Sequence, residues 1–241
     1  MKFEVDRTEI KQLEDSMKYI AIYDKANKDW YEELTKFDKD TLKVMYNADT
    51  HLILSVNKDA SMIAPTMAGD VVEEIPFQKV EIAPDNYFVG GKIVKLKECE
   101  TIKDGKIVFN REKCIEQIKK ELYELRLEYD MAPFEFEVGG VKYLQNNRSI
   151  DQSNLTRIVV MCQAMKKTEF ENWKFYTKDN SEKYVNLTLQ DMMRMANIMQ
   201  THTTKAMATE TLLSHNLENL TDKELKEYDA KDRYEKAYKN M

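Results

Sequence analysis

The chain has 241 residues, of which 42% are hydrophobic and 33% charged, with a net charge of −6. That length suits one large domain or two or three small ones, and only six Gly and four Pro exclude a low-complexity or collagen-like fibre body. The acidic balance, with just seven Arg among the cations, argues against a nucleic-acid partner, which needs a concentrated basic surface.

Ile10, Leu13 and Met17 stand at helical spacing among charges, which predicts an amphipathic helix over 6–18. Tyr19–Tyr23 reads as a short strand, and Trp30, Leu34 and Phe37 share one helical face; together these give a helical/strand region over 1–40. From Thr41 the period changes to two, with Leu42, Val44 and Tyr46, then Leu52, Leu54 and Val56, alternating with polar residues. Ala60–Ile63, Val71–Ile75 and Lys79–Ile82 are further strand candidates between Pro and Gly breaks. Gly90-Gly91 and Asp104-Gly105 lie between apolar runs and supply the positive φ angles that two-residue hairpin turns need. The expectation is a small antiparallel β module over 41–110.

Asn110 can cap a helix running to Asp130, whose Ile115, Ile118, Leu122, Leu125 and Tyr129 repeat at three-four spacing, a heptad seam of two heptads. Two readings stand for this helix, which covers 111–131. It is a linker packed on its own domain, or it bundles with copies from neighbouring subunits. Ala132-Pro133 marks a boundary, because Pro disfavours helix at the residue before it. A C-terminal module over 134–200 follows: a hairpin turning at Gly139-Gly140, a helix capped by Ser149 or Asp151, a connection bearing Trp173, and a helix opened by the Thr188–Asp191 capping pair. From Leu189 to Asn219 the residues Met192, Ala196, Met199, Thr203, Ala206, Glu210, Leu213, Leu217 and Leu220 keep a strict four-three alternation. The polar Thr203 and Glu210 predict a seam either partly solvated or broken near 200–210. Thr221–Glu224 is a full capping box for a last helix carrying Leu225, Tyr228, Tyr234 and Tyr238. The segment 201–241 is thus a helical arm, either solvated or docked on a neighbour. The fold class is α+β: a small antiparallel β module, a linker helix and a helix-rich C-terminal module.

Phe136, Tyr143, Ser149, Trp173, Asp179, Asn180, Val185, Leu187 and Thr188 form an ordered set: aromatic hairpin, Ser-bearing helix start, Trp, Asp-Asn turn, then Val and Leu-Thr before a last helix. This set resembles the small uncharacterised domain found near the C-termini of phage tail-fibre and tail-associated proteins, over 134–199. The Gly-Lys-Ile-Val hairpin at 91–94 is similar to parts of small clostridial-type phage tail proteins. The resemblance implies a structural component of a phage tail or phage-tail-like particle, in the baseplate or tail-fibre region. It also implies synthesis in a bacterial host cytoplasm, residence in the virion, other tail, baseplate or fibre proteins as partners, and a homo-oligomer, by tail-fibre biology a trimer. A fibre-assembly chaperone absent from the finished particle, or a receptor-binding module for host-surface saccharide, are the alternatives.

No chemistry is legible. The chain has no phosphate loop, dinucleotide fingerprint or nucleophile elbow, and His51, His202 and His215 never stand four apart beside a Glu. Cys99, Cys114 and Cys162 are odd in number and form no Cys-x-x-Cys pair, so reduced thiols are expected. The N-terminal residues lack the apolar core of a signal peptide, and no run reaches the roughly 18 apolar residues that span a bilayer, so no membrane insertion is expected. Carboxylates such as Glu73-Glu74 leave a wall-hydrolase alternative, but they read as solvated faces. Trp173 and Asn180 admit a saccharide pocket, although a Trp in so small a module reads first as its largest core piece. The expectation is therefore a non-enzymatic protein without catalytic, cofactor or metal residues. Ile115, Ile118, Leu122 and Leu125 are expected to form one subunit interface, and Met199, Leu213, Leu217 and Leu220 another. Phe136, Tyr143 and Trp173 are expected to hold the C-terminal module together.

Overall fold

The computed structural model describes residues 1–12, 17–79 and 83–241. They divide into two units, Met1–Lys113 and Cys114–Met241. In the first unit, strands β1 (Lys2–Glu4), β2 (Arg7–Gln12) and β3 (Lys18–Tyr23) precede a short helix α1 (Trp30–Glu33). Then come β4 (Thr41–Asn47), β5 (Ile53–Asn57) and β6 (Asp70–Pro76), followed by the hairpins β7 (Asn86–Val89)/β8 (Lys92–Lys95) and β9 (Glu100–Lys103)/β10 (Lys106–Phe109).

The main sheet of this unit has the order β1-β6-β4-β5. Alternation along β4 sends Leu42, Val44 and Tyr46 into one core with Ile53, Val71, Ile75 and Phe88. Met45 packs against a second core on the opposite face, made of Phe3, Val5, Ile22, Trp30, Phe37, Ala60, Ile63 and Val72. Trp30 sits between Phe3 and Phe37, with ring centroids 5.1 and 5.7 Å away. Residues 1–40 therefore share a core with the strands that follow and do not stand apart from 41–110. Lys43 is also buried on this sheet; its ammonium donates to the backbone carbonyls of Asp38, Thr41 and Lys58, which satisfies all three of its protons.

Three expectations are corrected here. The amphipathic helix over 6–18 is instead strand at Arg7–Gln12, paired antiparallel with Lys18–Tyr23; Leu13 lies outside the described residues. Three apolar residues among charges are too few to offset helix nucleation, and Ile10 faces solvent while the paired strand buries Ala21, Ile22 and Tyr23. Ala60–Met62 is a 3₁₀ turn, not a strand, because Asp59 caps it by accepting from Ser61 N at 2.9 Å. The strand candidate at Lys79–Ile82 falls largely outside the described residues.

The second unit contains most of helix α2 (Arg111–Asp130), the hairpin β11 (Phe134–Val138)/β12 (Val141–Gln145), helix α3 (Ser149–Ala164), the hairpin β13 (Glu169–Tyr176)/β14 (Glu182–Thr188), and helices α4 (Leu189–Asn216), α5 (Asp222–Lys226) and α6 (Ala230–Asn240). Its sheet has the order β11-β12-β13-β14. One core joins Phe134, Phe136, Trp173, Phe175 and Leu187 of the sheet to Leu155 and Cys162 of α3 and to Met192, Met195 and Met199 of α4. The units divide at Lys113/Cys114, not at Ala132-Pro133.

The Trp-bearing connection proves to be a full hairpin. Phe170 pairs with Leu187 and Trp173 with Val185, so β13 carries one residue more than β14 over this stretch, a bulge. Asn172 occupies it at φ 60, and its N–H donates to Asn186 Oδ1 at 3.1 Å. The odd spacing hides the period of two in the sequence, yet it brings Phe170, Trp173 and Phe175 to the same core.

The expected 201–241 arm is also corrected. The α4 helix is continuous through 200–210, and the last helix is two helices, separated before the Asp229 cap. Both fold onto the unit itself: Leu225 and Tyr234 are buried, and the Tyr234 hydroxyl donates to Ala206 O at 2.8 Å. Tyr129 of α2 packs against the rings of Tyr234 and Tyr238.

Candidate functional site

The residues expected to dock on other subunits are largely covered by the chain. Ile115, Ile118, Leu122, Met199 and Leu217 are buried, and Leu125, Leu213 and Leu220 are half-buried. The α2 and α4 seams run antiparallel, tied by Thr203 Oγ1 donating to Asp130 Oδ1 at 2.6 Å and by Arg126 Nε lying 3.3 Å from Glu210 Oε2. Thr203 and Glu210, which interrupt the apolar pattern, thus meet polar groups of α2. Within this chain the residues expected to dock on other subunits are thus mostly covered, Met199 by the sheet and α3. Phe136 and Trp173 lie in the core of the second unit, and Tyr143 packs against it with its ring 5.2 Å from Phe175.

The unit's open surface lies elsewhere, between α3 and β13. Helix α3 begins after Arg148, whose backbone N–H donates to Asp151 Oδ2 at 3.1 Å while its guanidinium holds the same carboxylate at 2.8 and 3.2 Å. The pairing with Asp151 raises the Arg148 pKa above its ordinary value. Asp151, not Ser149, is therefore the capping carboxylate, acting from the third position of the helix. The helix ends in a Schellman motif, with Lys167 N–H donating to Cys162 O at 2.8 Å and Lys166 N–H to Gln163 O at 3.2 Å. Lys166 stands where Gly is usual, at φ 56.

Asp151, Asn154, Ile158, Met161 and Met165 recur at three-four spacing and share one side of α3. Asp151, Asn154 and Ile158 line a cleft of about 350 Å³, whose other walls are Phe170, Asn172, Trp173, Lys174 and Tyr176 of β13 and the connecting residues Gln145, Asn146 and Arg148. Met161 and Met165 line a second cleft of about 550 Å³, and Phe170 borders both. Trp173 is buried at the floor, and its indole N–H donates to Gln145 Oε1 at 2.9 Å. A saccharide could not stack on this ring without unpacking it.

Charge around the groove is mixed. Lys174 Nζ bonds Glu182 Oε1 at 2.9 Å, which raises the Lys174 pKa and lowers that of Glu182. Arg157 lines the same cleft, is exposed, and pairs with no carboxylate among the described residues. Val160, Met161 and Met165 are 58%, 54% and 57% exposed. Sequence reasoning did not single out Arg157 or Met161. The available signal was Ile158-Val-Val-Met-Cys162, five apolar residues in a row, more than one helix face can bury. Among the described residues no group of three or more His, Cys, Asp or Glu could hold a metal ion, and no helix is long and apolar enough to cross a membrane.

Residues 118–232 match a family model described as "Domain of unknown function (DUF4376)". The chain is also 37% identical over 65 residues to tail fiber assembly protein U of Escherichia phage Mu. It is 34% identical over 65 residues to a probable tail fiber assembly protein of Escherichia phage P2. Each match takes in 27% of this chain and 35% of the relative, so the chain spans about a third of the length of the curated relatives it matches. The resemblance to phage tail-fibre-associated proteins carrying an uncharacterised domain is borne out, and the family match encloses all of 134–199.

Proposed function

We propose that this chain serves in phage tail-fibre assembly, acting on the fibre polypeptide by binding and without chemistry. The observation that carries the reading is the likeness to two phage proteins whose names describe tail-fibre assembly. The fold supports it in one respect. Ile115, Ile118, Leu122, Met199 and Leu217 are buried within the chain itself, which fits a factor that acts without assembling through those positions. A homotrimer built through those seams is not part of the proposal.

Co-expression with the tail-fibre polypeptide of the same phage tests this. The expected result is co-purification of the two chains and a higher soluble yield of fibre. Mass spectrometry of purified particles then separates assembly from residence: absence supports an assembly factor, and stoichiometric presence supports a tail or baseplate component. If the fibre polypeptide neither binds the chain nor gains solubility from it, the reading fails.

A further inference from the structure

Strand β12 meets β13 at a single pair, Leu144 with Tyr176, whereas β13 pairs with β14 from Glu169 to Tyr176. After Gln145 the backbone pairs no further with β13 among the described residues, and only the Gln145 side chain, through the Trp173 indole, still reaches that strand. Gln145 Nε2 donates to Asn146 O at 2.6 Å, and Asn147 Nδ2 donates to Asp130 O at 2.5 Å. From Glu169 to Phe175, β13 therefore has a strand on one side and no strand on the other among the described residues. Thr177 N–H donates to Ser181 O at 2.9 Å across the β13–β14 hairpin, so alternation turns the backbone of Tyr176 and of Lys174 away from β14. Tyr176 meets β12 there, and Lys174 meets none.

This gap differs from the two outer edges of the sheet. Those carry the charged residues Glu135 and Glu137 on β11, and Glu182 and Lys183 on β14, the usual protection against stray pairing. The gap at Lys174 is instead a slot inside the strand order, bordered by α3 and by the connecting residues Gln145, Asn146 and Arg148. The 16 residues of α3 span about 24 Å, the length of about seven extended residues. Midway along it lies Arg157, which has no carboxylate partner among the described residues, and toward the C-terminus of α3 lie the exposed thioethers of Met161 and Met165. Thioether side chains adapt to varied apolar partners.

We infer that this slot takes an extended segment of a partner polypeptide, which adds a strand along β13 with a carboxylate against Arg157 and apolar side chains over Phe170, Met161 and Met165. The mode is strand addition: the peptide backbone pairs with the free N–H and C=O of Lys174, and the flanking side chains set specificity. The inference rests on the assembly reading for the identity of the partner, the fibre polypeptide. It locates the contact.

The test uses the full chain with short overlapping synthetic peptides that tile the tail-fibre polypeptide of the same phage. Binding is read by fluorescence anisotropy, and the Lys174 amide is followed by hydrogen exchange. The expected result is one acidic-apolar peptide that binds and slows Lys174 exchange at least about tenfold, as a new ladder bond would. Arg157→Glu and Met161→Asp, both on exposed positions, should each weaken it about tenfold or more with unchanged melting. Lys174→Pro, which removes the edge N–H, should abolish it. Binding with Lys174 exchange unchanged overturns the inference even if a variant misfolds. If the fibre polypeptide co-purifies but no peptide binds and all three variants retain it, the slot is refuted while the assembly reading stands. Loss of both co-purification and peptide binding refutes both.

Discussion

The indole N–H of Trp173 and the side-chain carbonyl of Gln145 meet at 2.9 Å beneath the α3 groove, both buried. That bond joins β13 to the end of β12, at a place where the two strands have stopped pairing. Replacing Gln145 with Leu keeps the volume but leaves a buried donor unpaired, which costs about 1–3 kcal/mol. Chemical denaturation of Gln145→Leu should show that loss, and a midpoint equal to the parent's would mean the indole finds water instead.

Leu122 is fully buried on α2. Leu122→Asp should therefore unfold the second unit of an isolated chain, since an unpaired buried carboxylate costs several kcal/mol. Circular dichroism at low protein concentration distinguishes this from a subunit contact. A folded monomer of the variant would place the seam in solvent.

Asn172 holds the β13 bulge at φ 60. Asn172→Gly should be nearly neutral, while Asn172→Val should cost about 1–2 kcal/mol because a β-branched residue resists that region. Thermal melting of the pair reads the difference. Equal melting would mean the bulge relocates.

The phenol of Tyr234 is buried and its pKa is pushed up, first by burial and then by Glu210. Its folded value lies above its unfolded value of about 10, so its stabilising contribution is complete below about pH 10 and declines as pH rises further. Tyr234→Phe should lose about 1 kcal/mol near neutral pH, from the bond to Ala206 O. The gap between variant and parent should narrow above pH 10, because only the parent must keep a phenol protonated. A gap that stays constant to pH 11 would contradict the assignment.

What the sequence reveals follows the range of the interaction. The hairpins at Gly90-Gly91, Asp104-Gly105 and Gly139-Gly140 are legible because positive φ at adjacent residues is a local demand. The boxes at Thr188/Asp191 and Thr221/Glu224 are legible for the same reason, each closing within one turn. The β13–β14 hairpin is hidden because one bulged residue breaks the alternation by which strands are recognised. The heptad positions on α2 and α4 mark a face, but spacing cannot say which surface covers it. Here Asp130 and Arg126, on the same chain, reach Thr203 and Glu210. The α3 groove depends on where β12 departs from β13, a long-range fact with no local signature.

Those two polar pairs also act as an index mark for the helices they join. Sliding α2 by one heptad along α4 would set Asp130 against Ala196 and Arg126 against Thr203 in one direction, or Asp130 against Glu210 and Arg126 against Leu217 in the other, so both pairs would be lost either way. Purely aliphatic ridges would tolerate several such offsets at similar energy. The observed alignment keeps both pairs, and in that register the rings of Tyr234 and Tyr238 on α6 close against Tyr129.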